Sequence, residues 1–240
     1  MSEGQNLRLR QDDRAEGWGR SLYALAESRR VLVGARDGVQ AMQDELARAS
    51  QLLEDVDWAQ RGGQWPPAED RRALLRAFAD QCETAAAEGE DTEKRLASAQ
   101  RFLTAGRQEA EAIDPRTEQE QEDQARLRHV ATGLHRSLEG ARVELERTQA
   151  ALLRSAAAAR ESAPTSGAVD TVHTDLLNRT LRSASTEGHR VDEVVSRVSS
   201  QTSTVLGAID PVGQAARERM RAHRDLPGGG ACPPAPGVER

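Results

Sequence analysis

An all-α fold, an elongated antiparallel four-helix bundle made of two long hairpins with coiled-coil-like packing, is predicted by three features of this 240-residue chain. Four stretches, beginning near Trp18, Leu75, Leu127 and Leu177, keep an unbroken three-four spacing of apolar or small residues, which is the periodicity of a single helix stripe. The breaks between the first and second and between the third and fourth carry Gly and Pro, the residues that end and restart helices. No alternating apolar and polar run bounded by turn signals suggests a strand.

The first stretch places Trp18, Leu25, Leu32, Val39, Leu46 and Leu53 seven apart, with Ser21, Ser28, Ala35, Met42, Ala49 and Val56 three residues after each. A seven-residue period implies left-handed, knobs-into-holes packing. Arg61-Gly62-Gly63-Gln64-Trp65-Pro66-Pro67 then reverses the chain. The second stretch alternates Leu75, Cys82, Gly89, Leu96, Leu103 and Ala110 with Phe78, Ala85, Thr92, Ala99, Gly106 and Ile113. Asp114-Pro115 offers an N-cap and a first-turn proline to the third helix, and the apolar-poor run 116 to 126 reads as a solvated acidic linker or helix overhang. The third stretch runs from Leu127 through Leu134, Leu138, Leu145 and Leu152 to Ala159, and the fourth from Leu177 through Leu181, Val191, Val195, Val198 and Val205 to Ile209. Ser162-Ala163-Pro164-Thr165-Ser166-Gly167 separates them.

The organisation expected is therefore a first hairpin at 1–113, the acidic segment at 114–126, a second hairpin at 127–209, a short Arg-rich helix at 210–225 and a disordered tail at 226–240. Ala112-Ile113-Asp114-Pro115 recurs as Ala208-Ile209-Asp210-Pro211, 96 residues on, which hints at a duplicated hairpin. From Leu226 the Gly/Pro-rich composition suits no regular structure.

Composition narrows the function classes. Only six residues are aromatic and none lies beyond Phe102, which speaks against a thick globular core and for narrow seams between long helices. The net charge of −6 speaks against a general nucleic-acid or anionic-membrane binder. No stretch approaches the roughly 18 consecutive apolar residues of a membrane span, and Met-Ser-Glu-Gly-Gln-Asn at the start lacks an apolar leader run. The expected compartment is the cytoplasm. Cys82 on a seam and Cys232 in the tail do not read as a disulfide framework.

The residues that carry chemistry elsewhere are not arranged for it here. A bundle-borne di-iron site needs two Glu-x-x-His pairs, and the nearest match is Asp170-Thr171-Val172-His173, once. There is no Gly-x-Ser-x-Gly elbow, Walker loop, Gly-x-Gly-x-x-Gly or Cys-x-x-Cys. The expectation is a non-enzyme without metal, cofactor or small-molecule substrate. Two features could bind a partner: Trp58 and Trp65, which flank the Gly62-Gly63 reversal, and the cluster Arg217, Arg219, Arg221 and Arg224.

Trp18-Gly19, with Tyr23-Ala24-Leu25-Ala26-Glu27 after it, resembles the signals of the small helical-hairpin proteins exported by type VII secretion. In that family the Trp-x-Gly lies in the turn and the Tyr-x-x-x-acid follows the second helix, whereas here both fall inside the first stretch, so no family is assigned. Ser196 to Thr204 is similar in composition to a chemoreceptor signalling bundle. The reading that follows is a helical-bundle interaction or scaffold protein acting through protein contacts, with itself or with another helical protein. The alternatives are an exported hairpin protein of the type VII kind, or an adaptor that uses its C-terminal Arg cluster on nucleic acid or anionic membrane.

Overall fold

The computed structural model describes residues 3–61, 68–162 and 171–209, with side chains described at 16–55, 70, 72–162 and 174–209. The described residues are 96% helical and contain no strand. Four helices follow in order: α1 (Glu3–Arg61), α2 (Ala68–Glu111), α3 (Glu118–Ser162) and α4 (Thr171–Ala208). At 1.5 Å per residue they are rods roughly 60 to 90 Å long. The expected short helix at 210–225 and tail at 226–240 lie outside the described residues.

The helices form a square. α1 packs on α2, α2 on α3, α3 on α4, and α4 returns to α1, while the diagonal pairs α1/α3 and α2/α4 make no close backbone approach. The α1/α2 seam is the most extensive and α3/α4 the slimmest, with α1/α4 next. The two hairpins thus lie side by side and are not equivalent.

Each stripe read from the sequence faces this common core. On α1 everything from Trp18 to Leu53 in the seven-residue series is buried, and on α2, α3 and α4 every stripe residue from Leu75 to Ile209 is buried. Among the off-stripe apolar residues, Val194 and Leu206 pack partly buried against the same core, whereas Leu153 stays half exposed. Buried leucines stabilise by roughly 1.5–3 kcal/mol each, so the alternation of Leu with Ala, Ser and Gly sets how much each layer contributes.

Where small residues meet, the helices close up. Ser21 Oγ donates to the Gly106 carbonyl at 2.7 Å and Ser28 Oγ to the Ala99 carbonyl at 3.2 Å. A Cβ at Gly106 would stand 3.1 Å from the Ser21 carbonyl, and one at Gly38 would overlap the Thr92 hydroxyl. Gly17 faces Ile113, so the turns of α1 before it run on past the end of α2. In mid-bundle Met42 reaches between Gly89 of α2 and Gly188 of α4; a Cβ at Gly188 would overlap the Gln43 amide and press on Met42, and one at Gly89 would crowd Gln149 of α3. Gln43 fixes the neighbouring seam: its Nε2 donates to the Ser185 carbonyl at 3.0 Å and its Oε1 accepts from Ser185 Oγ at 3.2 Å.

The third helix starts later than the Asp114-Pro115 pair implied. Thr117 is its cap: Thr117 Oγ1 accepts from the Glu120 amide at 3.1 Å while Glu120 Oε2 accepts from the amides of Arg116 at 2.7 Å and Thr117 at 3.3 Å. That reciprocal box satisfies orphan donors which Asp114, three residues too early, cannot reach. Residues 118–126 are helical, and Gln124 Nε2 donates to the Ala110 and Ile113 carbonyls at 2.7 and 3.1 Å, closing the end of α2.

Gly133 and Gly140 lie on the exposed face of α3, where a Cβ added at either would meet nothing within 4 Å. Their cost is purely conformational. Replacing each with alanine is expected to raise unfolding free energy by roughly 0.5–1 kcal/mol, measured by denaturant titration; a loss of stability at either would mean that the α3 outer face is covered.

Candidate functional site

Of the two features singled out in the sequence, Trp58 belongs to α1 but its side chain is outside the described set, and Trp65, Arg217, Arg219, Arg221 and Arg224 lie outside the described residues altogether. His173 is in α4, also without a described side chain, and Asp170 is outside. His129, His135 and His189 are exposed. Among the described residues no group of three His, Cys, Asp or Glu side chains is placed to hold a metal ion, and no helix is long and apolar enough to cross a membrane.

Cys82 is fully buried on α2. Burial, with the Glu83 charge adding to it, pushes its thiol up to about 12, so it is a neutral thiol at physiological pH and packs as a small hydrophobe.

The α2/α3 face carries a polar network. Arg142 lies between Glu93 Oε1, at 2.6 Å, and Glu139 Oε2, at 3.3 Å. Gln100, 4% exposed, donates to the His135 carbonyl at 3.1 Å and to Glu139 at 3.0 Å, and accepts from Arg142 at 3.1 Å. The Gln100 hydrogen bond and the Arg142 charge hold the Glu139 carboxyl below its ordinary value. One end of the same face is braced by Arg160 against Asp80 and Glu83, and its hydrogen bond lowers the Glu83 pKa. These groups pin the register of two helices, because a slip of one residue would strand Gln100 without partners.

Toward the other end, Thr104 and Arg107 of α2 and Thr132, His135 and Arg136 of α3 line a groove of ≈270 Å³. On the α1/α2 face a wider concavity of ≈480 Å³ is lined by Gly19, Tyr23 and Ala24 of α1 and by Phe102 and Ala105 of α2. Tyr23 is 67% exposed, and Phe102 is half-buried beside it. Arg20 borders the concavity, paired with Glu16 and with Glu109 at 2.9 Å each. Trp18 and Tyr23, the residues of the type VII resemblance, thus sit in one continuous helix: Trp18 is 4% exposed in the core while Tyr23 faces out.

Sequence reasoning did not single out the Tyr23/Phe102 surface. Phe102 directly precedes the stripe residue Leu103 and Tyr23 lies two positions before Leu25, so each alone reads as a stray off-stripe residue; only the α1/α2 register brings them together. No family model, curated protein or solved structure matches the chain.

Proposed function

We infer that this chain is a non-enzymatic interaction module, a helical bundle that offers the Tyr23/Phe102 face of α1 and α2 to a helical protein partner or to a second copy of itself. The observation that carries this reading is the exposure of the chain's single tyrosine. In a protein with six aromatic residues, spending Tyr23 on the surface, beside Phe102 and the small residues Gly19, Ala24 and Ala105, costs core that the bundle could have used. Aromatic centres with charged rims are the usual anatomy of protein interfaces, and Arg20, Glu16 and Glu109 supply such a rim. Small residues at the centre let a partner's side chain enter.

The test is a Tyr23→Glu variant, which places a charge in the patch at an exposed position where it disturbs no core contact. Association is followed by light scattering behind size-exclusion chromatography across a concentration series, and by capture from the native host. Partner or self binding is expected to weaken at least tenfold while helix content and melting temperature stay at wild-type values. Undiminished association of the folded variant would overturn the assignment of this face.

A further inference from the structure

We propose that the groove between α2 and α3 near Arg107 and Arg136 is an oxyanion site that takes the phosphate group of inorganic phosphate or of a small phosphomonoester. Its floor is apolar, formed by the buried Leu103 and Ala131, and its walls are polar: two guanidinium groups that donate, with two threonine hydroxyls and an imidazole beside them. Neither arginine has a described carboxylate within hydrogen-bond length. Arg107 Nε is buried and has no hydrogen-bond partner; its NH1 reaches only Thr132 Oγ1, at 3.4 Å. The carboxylate nearest to Arg107 is Glu111, at 3.9 Å, which is beyond hydrogen-bond length and is also engaged by Arg128 at 3.3 Å. Arg136 makes no ion pair with a described residue. Glu139, the acid beside His135, is committed to Gln100 and Arg142.

A buried guanidinium N–H without an acceptor is a costly arrangement, and an anion with oxygens on several sides relieves it. Phosphate fits the donor set better than a carboxylate. Two guanidinium groups line the groove, Arg107 from α2 and Arg136 from α3, and planar forks of this kind pair with phosphate oxygens. Thr104 and Thr132 add a neutral hydroxyl from each helix, with Thr104 Oγ1 3.5 Å from His135 Nδ1. The apolar floor lowers the local dielectric and strengthens each contact. No part of this site overlaps the Tyr23/Phe102 face, so the two readings stand separately.

The experiment titrates the full chain, isotopically labelled for amide NMR, with inorganic phosphate and in parallel with glycerol 3-phosphate, against sodium chloride at matched ionic strength. The expected result is saturable shifts confined to amides around residues 103–108 and 131–137, with at least tenfold weaker binding in Arg107→Met and in Arg136→Met and unchanged binding in Arg29→Met on the distant face of α1. Tighter binding of the ester than of inorganic phosphate would identify a group carried on a larger molecule, and the reverse would identify the free ion; either supports the site. Shifts that chloride reproduces, or that survive in a folded Arg136→Met variant, would overturn it. Arg136 lies exposed on the groove rim, so that variant remains decisive even where Arg107→Met disturbs the α2/α3 packing.

Discussion

Replacing Leu32 with alanine is expected to lower the free energy of unfolding by about 2–5 kcal/mol, the range for a buried leucine whose cavity only partly collapses. Leu32 is fully buried mid-way along α1, at the level where α2 supplies Leu96 and Arg95 reaches across to the Gly34 carbonyl. Long rods packed on two sides cannot shift locally to fill the space without moving whole turns. Val33, the next residue, is 53% exposed, and Val33→Ala is expected to cost within about 0.5 kcal/mol, as surface substitutions do. Denaturant titration of the pair is the check; equal losses would contradict the orientation of α1.

Gly106→Val is the second substitution with a large effect, and its mechanism is the opposite one. No cavity opens; two backbones are driven apart. The added Cβ would stand 3.1 Å from the Ser21 carbonyl and 3.4 and 3.5 Å from the side chains of Leu25 and Ala24, and the first of these is main chain within a helix that cannot rotate away. Overpacking of this kind costs about 1–3 kcal/mol, and separation of the helices adds about 1 kcal/mol for the Ser21–Gly106 hydrogen bond. A melting temperature measured by circular dichroism should fall by several degrees. The contrast with Gly133→Ala and Gly140→Ala isolates the cause, since all three glycines are helical and only Gly106 faces a neighbouring backbone. A neutral Gly106→Val would show that α1 and α2 do not approach as closely as Ser21 and Ser28 indicate.

The stripes were legible because seven-residue spacing is a property of one helix, independent of its partner. Leu127, Leu134 and Leu138, for example, name their own face without reference to α2 or α4. What depends on two helices at once was not legible. Ala24, Ala79 and Ala86 are buried, yet alanine carries too weak a hydropathy signal to mark a face; Ala24 is covered because it meets Gly106 of α2, and Ala79 and Ala86 share the seven-residue position of Glu93 and Gln100, on the α3 side of α2. Gln100 is buried for the converse reason, since a polar residue points inward only where acceptors and donors such as the His135 carbonyl, Glu139 and Arg142 await it. The Thr117–Glu120 box was in the sequence as Thr-x-x-Glu, but the more conspicuous Asp114-Pro115 pair competed with it. Neither the Tyr23/Phe102 concavity nor the Arg107/Arg136 groove could be read in advance, because each is assembled by the register between helices, and periodicity within a helix leaves that register open.

The square closes where α4 returns to α1, the one seam between helices that are not consecutive in the chain. Gln43 and Ser185, which meet there, are 142 residues apart in sequence, whereas the other three seams need only a reversal between consecutive rods. Loop entropy must be met before such a distant contact stabilises anything, so the α1/α4 seam is expected to close last in assembly and to open first. α4 also holds the two slimmest seams of the square, which makes it the stave with the least to hold it in place. Hydrogen exchange should therefore divide the molecule into a protected three-helix unit, α1 to α3, and an α4 whose amides exchange together at a lower free energy than global unfolding.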